Sequence, residues 1–163
     1  MLLILPCNRC VRYGDYSLCP NWRIVLQSIG DLVGAGLVSL AAIDTCKPGI
    51  VLWGEEEGLR WCDKYPSSEF YYKREPWMLP ILKQAVLRDV RELATLYRSI
   101  VYYVNVKAYR EALRNAEEAL GSPPIFNAGP PQANPLSYRS RRNRGKLRRL
   151  LIHLSADAMG KGG

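Results

Sequence analysis

Histidine is almost missing from this chain. The single one among 163 residues, His153, lies close to the C-terminus, which argues against a Ser/His/Asp hydrolase, because that chemistry needs an imidazole beside its nucleophile. A glycine-rich phosphate loop is missing as well. Gly30, Gly34 and Gly36 stand at the end of a helical pattern rather than at its start, so no nucleotide cofactor, and no other cofactor, is expected. No apolar run comes near the roughly 18–20 residues that a membrane span needs. Met1 to Leu5 is too short for a signal-peptide core and no basic residue precedes it. The chain therefore reads as cytoplasmic, without a membrane partner. Its five cysteines are an odd number and do not suggest a disulfide framework.

What is present is unevenly spread. The net charge is +8, yet residues 1–120 hold 15 Lys/Arg against 14 Asp/Glu, whereas residues 121–163 hold eight against Asp157 alone. Most of that surplus is one run: Arg139, Arg141, Arg142, Arg144, Lys146, Arg148 and Arg149. Seven cations so close together repel one another unless a polyanion or counterions screen them. The run follows a segment, residues 121–136, that contains five prolines and reads as a linker. Leu147, Leu150, Leu151 and Leu154 permit a short amphipathic basic helix. The chain thus divides into a domain over 1–120, a Pro-rich linker over 121–136 and a basic arm over 137–163. An Arg-rich arm is an electrostatic footprint for nucleic acid, and its seven cations are the nucleic-acid-binding candidates. RNA, tRNA in particular, is the expected partner.

Hydrophobic periodicity organises the first 120 residues. Leu2 to Leu5 reads as a fully buried strand. Trp22, Val25, Leu26, Ile29, Leu32 and Val33 form a helical stripe, and Val38 to Ile43 is a second strand. Gly49 to Trp53 reads as a further strand. Helices are expected over 77–97 and 106–120, with a strand at 100–104 between them. Residues 58–76, crowded with Trp61, Tyr65, Phe70, Tyr71 and Tyr72 and broken by Pro66 and Pro76, read as an ordered loop with at most one short element. Strand–helix–strand alternation predicts an α/β fold: a three-layer Rossmann-like domain with a short, mostly parallel sheet of three or four strands.

The chemistry-bearing segment is the loop after the first strand. Leu5-Pro6-Cys7 opens it, Cys10 and Cys19 follow, and Arg12, Tyr13, Tyr16 and Ser17 lie between. In open α/β sheets, ligands sit outside the carboxyl ends of the strands. A Cys-x2-Cys pair with Cys19 suggests a zinc site, but Cys46 and Cys62 are isolated and no full ligand set emerges. No metal is assigned. Asp44, ending the second strand, is placed either to meet a ligand or to cap the following turn.

The same loop resembles the catalytic core of archaeosine synthase, a tRNA-modifying enzyme. That family has a strand ending in Leu-Pro-Cys, then a basic stretch, a Tyr, and a Ser and a His opening the first helix. Leu5-Pro6-Cys7, Arg12-Tyr13 and Ser17 match this order, as do Pro48 to Val51 and Tyr65-Pro66 further on. The resemblance implies a base pocket, with Cys7 and Ser17 as catalytic candidates and Arg12 and Tyr13 facing the ligand. Asp44 joins them as a substrate-binding candidate by its strand-end position. The family's lysine is replaced by Val11 and its histidine by Pro20, or by Asn21 if the register shifts, so the implied protein is a divergent relative with a degenerate motif. Two other readings remain open from the residues: a non-catalytic module that docks on a larger assembly through its arm, and a small zinc-stabilised nucleic-acid-binding domain.

Overall fold

The structure is a computed structural model that describes residues 1–7, 16–55, 65 and 67–160. Five strands form one sheet: β1 (Leu2–Pro6), β2 (Ser39–Asp44), β3 (Gly49–Leu52), β4 (Ile100–Tyr102) and β5 (Ile125–Asn127). Their spatial order is β3-β2-β1-β4-β5. β1 pairs parallel with β2 and with β4, β4 pairs parallel with β5, and only β2–β3 is antiparallel. The architecture is α/β, a mostly parallel mixed sheet consistent with the three-layer Rossmann-like arrangement. It has five strands where three or four were expected.

Period-two alternation along the strands divides the core. Leu3, Leu5 and Cys7 of the β1 segment face the same way as Leu40, Ala42, Val101 and Tyr103, under α1 (Pro20–Gly34), α5 (Pro135–Arg139) and α6 (Arg141–Gly160). Leu2, Ile4, Ala41, Ile43, Ile100 and Tyr102 face the other layer: α2 (Ser68–Arg74), α3 (Met78–Leu93) and α4 (Lys107–Leu120). A central strand buried on both faces has no polar positions to spare, which is why β1 reads as an uninterrupted apolar run. No helix among the described residues is long and apolar enough to cross a membrane.

Two segments differ from the reading of the sequence. The expected linker supplies β5, whose residues pair with β4 from Ile100↔Ile125 to Tyr102↔Asn127. The pairing is extended by Ile100 N donating to Pro124 O at 2.8 Å and Ala128 N to Tyr102 O at 2.9 Å. A three-residue strand at the sheet edge tolerates flanking prolines, because an edge leaves one side of the backbone without ladder partners. The expected arm is not separate from the domain either. Tyr138, Leu147 and Leu151 are fully buried and Leu154 nearly so, all in the α1-side core. A division at residue 120 therefore does not correspond to the packing. Within 58–76 the described part contains α2, started by Ser67, whose hydroxyl accepts from Phe70 N at 3.2 Å.

Candidate functional site

The strands deliver three chemically capable residues to the carboxyl edge. Carrying the β1–β2 register onward sets Cys7 beside Asp44, and Cys7 N still donates to Ile43 O at 3.0 Å. Carrying the β1–β4 register onward sets Asn105 level with Cys7 on the other side. Tyr103 belongs to the α1-side core and Val104 and Val106 to the opposite one. Alternation thus puts Asn105 on the α1 side, with Cys7. Because β2 and β4 flank β1 on opposite sides, this edge is the topological switch point of the sheet, where open α/β folds bind ligands.

Asp44 is fully buried and held at both oxygens. Oδ2 accepts from Tyr16 OH at 2.6 Å, and Oδ1 accepts from Cys46 N at 2.6 Å and Lys47 N at 3.3 Å. It caps the turn after β2 and ties that turn to the 3-10 turn Tyr16–Leu18. Tyr16 in turn stacks on Trp22, ring centroids 5.2 Å apart, while Trp22 Nε1 donates to Pro6 O at 3.2 Å. Asp44 therefore organises the edge through the protein's own donors. Ser17 lies half-buried in the same 3-10 turn. The thiol of Cys7 is only 4% exposed, so it lines the edge from below. Arg12 and Tyr13 lie outside the described residues.

Beneath the edge on the α4 side runs a hydroxyl network that the sequence did not announce. Tyr109 OH lies 2.8 Å from Thr45 Oγ1, donates to Cys7 O at 3.3 Å and reaches Ser68 Oγ at 3.1 Å. Thr45 Oγ1 also meets Tyr72 OH at 3.1 Å. Burial pushes the Tyr109 hydroxyl well above its ordinary pKa. Burial likewise pushes Tyr72 up to about 12, against a smaller opposing pull from its hydrogen bond to Thr45. These phenols stay protonated and serve as a brace. Tyr109 sits in the apolar stripe of α4, where an aromatic reads as core. Only the tertiary contact reveals its polar end.

Asn105 carries no signal in the sequence either. It is 8% exposed, and its Oδ1 accepts no hydrogen bond among the described residues.

Cys19 and Cys46 are disulfide-bonded. This corrects the expectation that an odd cysteine count argues against disulfides: one cysteine, Cys7, stays a free thiol while Cys19, before α1, and Cys46, after β2, are oxidised, and parity does not say which sulfurs a fold engages. Oxidised sulfurs are not thiolate ligands, so a zinc site built on Cys19 with Cys46 is not supported. No group of three or more metal-ligating side chains occurs among the described residues.

The seven cations of the C-terminal run separate into two sets. Arg144 is buried, and its guanidinium donates to Ile24 O at 3.1 Å, Ser28 Oγ at 2.8 Å and Arg139 O at 3.2 Å. Arg148 grips Asp31 with two hydrogen bonds of 2.6 and 2.9 Å and donates to Ser28 O at 3.0 Å. Arg148 holds the Asp31 carboxyl below its ordinary pKa. These two fasten α6 to α1, which corrects their reading as phosphate contacts. Arg139, Arg141, Arg142, Lys146 and Arg149 are exposed and make no ion pair among the described residues. Arg142, Lys146 and Arg149 follow i, i+4, i+7 spacing and so share one face of α6. A shallow cleft of about 690 Å³ adjoins them, bordered by Gln132, Asn134, Ser137 and Asn143 as well as Arg142 and Lys146.

No family model matches the sequence, and neither the curated proteins nor the solved structures contain a significant match.

Proposed function

We propose that this is an RNA-binding α/β protein that takes RNA phosphates on the exposed face of α6 and a base at the carboxyl edge of the sheet. The observation that carries the reading is the division of the basic run. Two arginines are used internally, and the remaining five cations stand exposed and make no ion pair among the described residues. Arg142 to Arg149 spans roughly 10 Å along the helix axis, on a surface held rigid by the buried Leu147, Leu151 and Leu154. Such contacts position a backbone without reading sequence. Specificity then falls to the carboxyl edge, where the resemblance to the archaeosine synthase core also sets a base pocket. With Val11 and Pro20 in place of that family's lysine and histidine, the reading is of a protein that binds tRNA rather than one that carries out the synthase reaction.

The disulfides add a requirement. Such bonds persist in oxidising compartments, and inside cells chiefly in hyperthermophiles. A cytoplasmic tRNA-binding role thus calls for a cytoplasm that preserves them.

The test is tRNA binding across a salt series. Five neutralised phosphates give a slope of about −3.5 to −4.5 in log K against log salt. The variant Arg142→Glu/Lys146→Glu/Arg149→Glu should flatten that slope by about two to three units and keep the wild-type circular dichroism spectrum. A folded variant that binds tRNA as tightly as wild type, with the same salt slope, would overturn the assignment of α6.

A further inference from the structure

We infer that the carboxamide of Asn105 is the recognition element of a ligand pocket at the carboxyl ends of β1 and β4, and that it reads an edge in which an N–H donor sits beside an acceptor, as on a nucleobase. The inference rests on the RNA reading for the choice of nucleobase, but its structural basis is independent of α6.

Three observations converge. Asn105 is more than nine-tenths buried, yet its Oδ1 has no donor among the described residues. Buried side-chain oxygens are nearly always satisfied, and one that is not is costly. Nothing in the packing demands an amide there: the flanking Tyr103, Val104 and Val106 fill the two cores with apolar surface, and a leucine of similar volume would avoid the penalty. The position is also the switch point of the sheet, level with Cys7 when the β1–β4 register is carried onward. The other buried polar side chains at the carboxyl edge are meanwhile engaged among themselves, Asp44 by Tyr16, Cys46 N and Lys47 N, and Thr45 by Tyr72 and Tyr109.

A carboxamide presents one acceptor and two donors in a plane. Its complement is a planar edge of opposite order, the geometry by which asparagine pairs with adenine. Lactam edges of uracil and guanine offer the same pair of an N–H beside a carbonyl. A carboxylate ligand lacks the donor that Oδ1 needs, and an aliphatic ligand would leave Oδ1 as it is.

The experiment titrates the full-length protein with adenosine, guanosine and uridine, and with N6,N6-dimethyladenosine, 1-methylguanosine and 3-methyluridine, in which the recognising N–H is replaced. At least one unmodified nucleoside should bind, and its methylated counterpart should bind at least about tenfold more weakly. The Asn105→Leu protein should lose the same affinity while melting no lower than wild type, and by about 2–4 °C higher if the relieved penalty is fully recovered. A merely structural asparagine predicts the reverse, a lower melting temperature. The proposal is overturned if no nucleoside binds the wild type, if methylation and Asn105→Leu leave affinity unchanged, or if Asn105→Leu lowers the melting temperature. The methylation series reads the same recognition on the wild-type protein, independently of the variant. The α6 charge-reversal variant should bind nucleosides as wild type does, so loss of tRNA binding there and loss of nucleoside binding in Asn105→Leu are separate results.

Discussion

Arg144 Nη1 donates to Ser28 Oγ at 2.8 Å across 116 residues of sequence, and in doing so joins the last helix of the chain to the first. The same guanidinium reaches Ile24 O and Arg139 O. Its charge sits among backbone and hydroxyl acceptors that would otherwise be left unbonded at the α1–α6 contact. The most basic stretch of the sequence is thereby part of the core layer on one face of the sheet.

Replacing Arg144 with Ala should destabilise the protein by about 2–3 kcal/mol, because the hydrogen bonds of a buried charged group are lost and part-buried acceptors are left without their donor. Arg149→Ala, on the exposed side of the same helix, should stay within about 0.5 kcal/mol of wild type. Urea denaturation of the two variants measures the contrast. Equal midpoints would remove the distinction between fastening and exposed cations.

Deleting residues 137–163 should unfold the domain rather than trim it. Tyr138, Leu147, Leu151 and Leu154 are buried against the α1 layer. At roughly 1.5–3 kcal/mol each, their loss is about 6–12 kcal/mol, comparable with the whole stability of a typical domain, about 5–15 kcal/mol. A truncated protein that keeps a cooperative melting transition near that of wild type would refute this packing.

Stability should fall in alkali. Burial raises Tyr72 and Tyr103 to about 12 from the ordinary value near 10. The unfolded chain therefore releases these protons first as pH rises. The contribution is fully present below pH 10 and is lost between pH 10 and 12, by about 1.4 kcal/mol per pH unit for each such tyrosine. Melting temperature against pH, followed together with tyrosinate absorbance, should show ionisation and unfolding coinciding. Tyrosines that titrate near 10 in the folded protein would contradict their burial.

Gly49→Ala should cost about 1–3 kcal/mol. Gly49 begins β3 at φ +132°, and a Cβ there would collide with the carboxylate of Asp89. That carboxylate accepts from Ile50 N at 2.9 Å and so fixes the start of the antiparallel strand. Thermal denaturation reads the cost, and an unchanged melting temperature would show that the turn relaxes freely.

Reduction should lower the melting temperature, by the equivalent of about 2–4 kcal/mol for each disulfide broken. Under native, non-reducing conditions Cys7 should resist alkylation, since it is only 4% exposed, and become reactive on unfolding. Mass spectrometry after alkylation checks both statements. Native labelling of Cys19 or Cys46 without reductant would show that they are thiols.

Local pattern carried much of the fold. The buried run at Leu2–Leu5, the stripe from Trp22 to Val33 and the spacing from Leu82 to Leu93 each declare an element by periodicity, and the observed β1, α1 and α3 follow them closely. The proline-rich segment misled because Pro is scored against strands in general, whereas β5 is an edge strand of three residues. The arginine run misled because charge along a sequence does not say which side of a helix faces the core. The leucines at 147, 151 and 154 signalled an amphipathic helix, but not the partner that would bury it.

The site divides in the same way. The sequence by itself determined that a polar, cysteine-bearing loop follows a buried strand, because a short-range apolar pattern ending at Pro6-Cys7 is enough to place it at a strand's carboxyl end. Only the tertiary structure decided that Asp44 is occupied by Tyr16, that Tyr109 braces Cys7 from the opposite layer, that Cys19 and Cys46 are oxidised, and that Asn105 comes level with Cys7 lacking a donor for its Oδ1. Each of these depends on residues brought together from separate strands and helices, and hydrogen-bond satisfaction is a property of that assembled neighbourhood rather than of any stretch of chain.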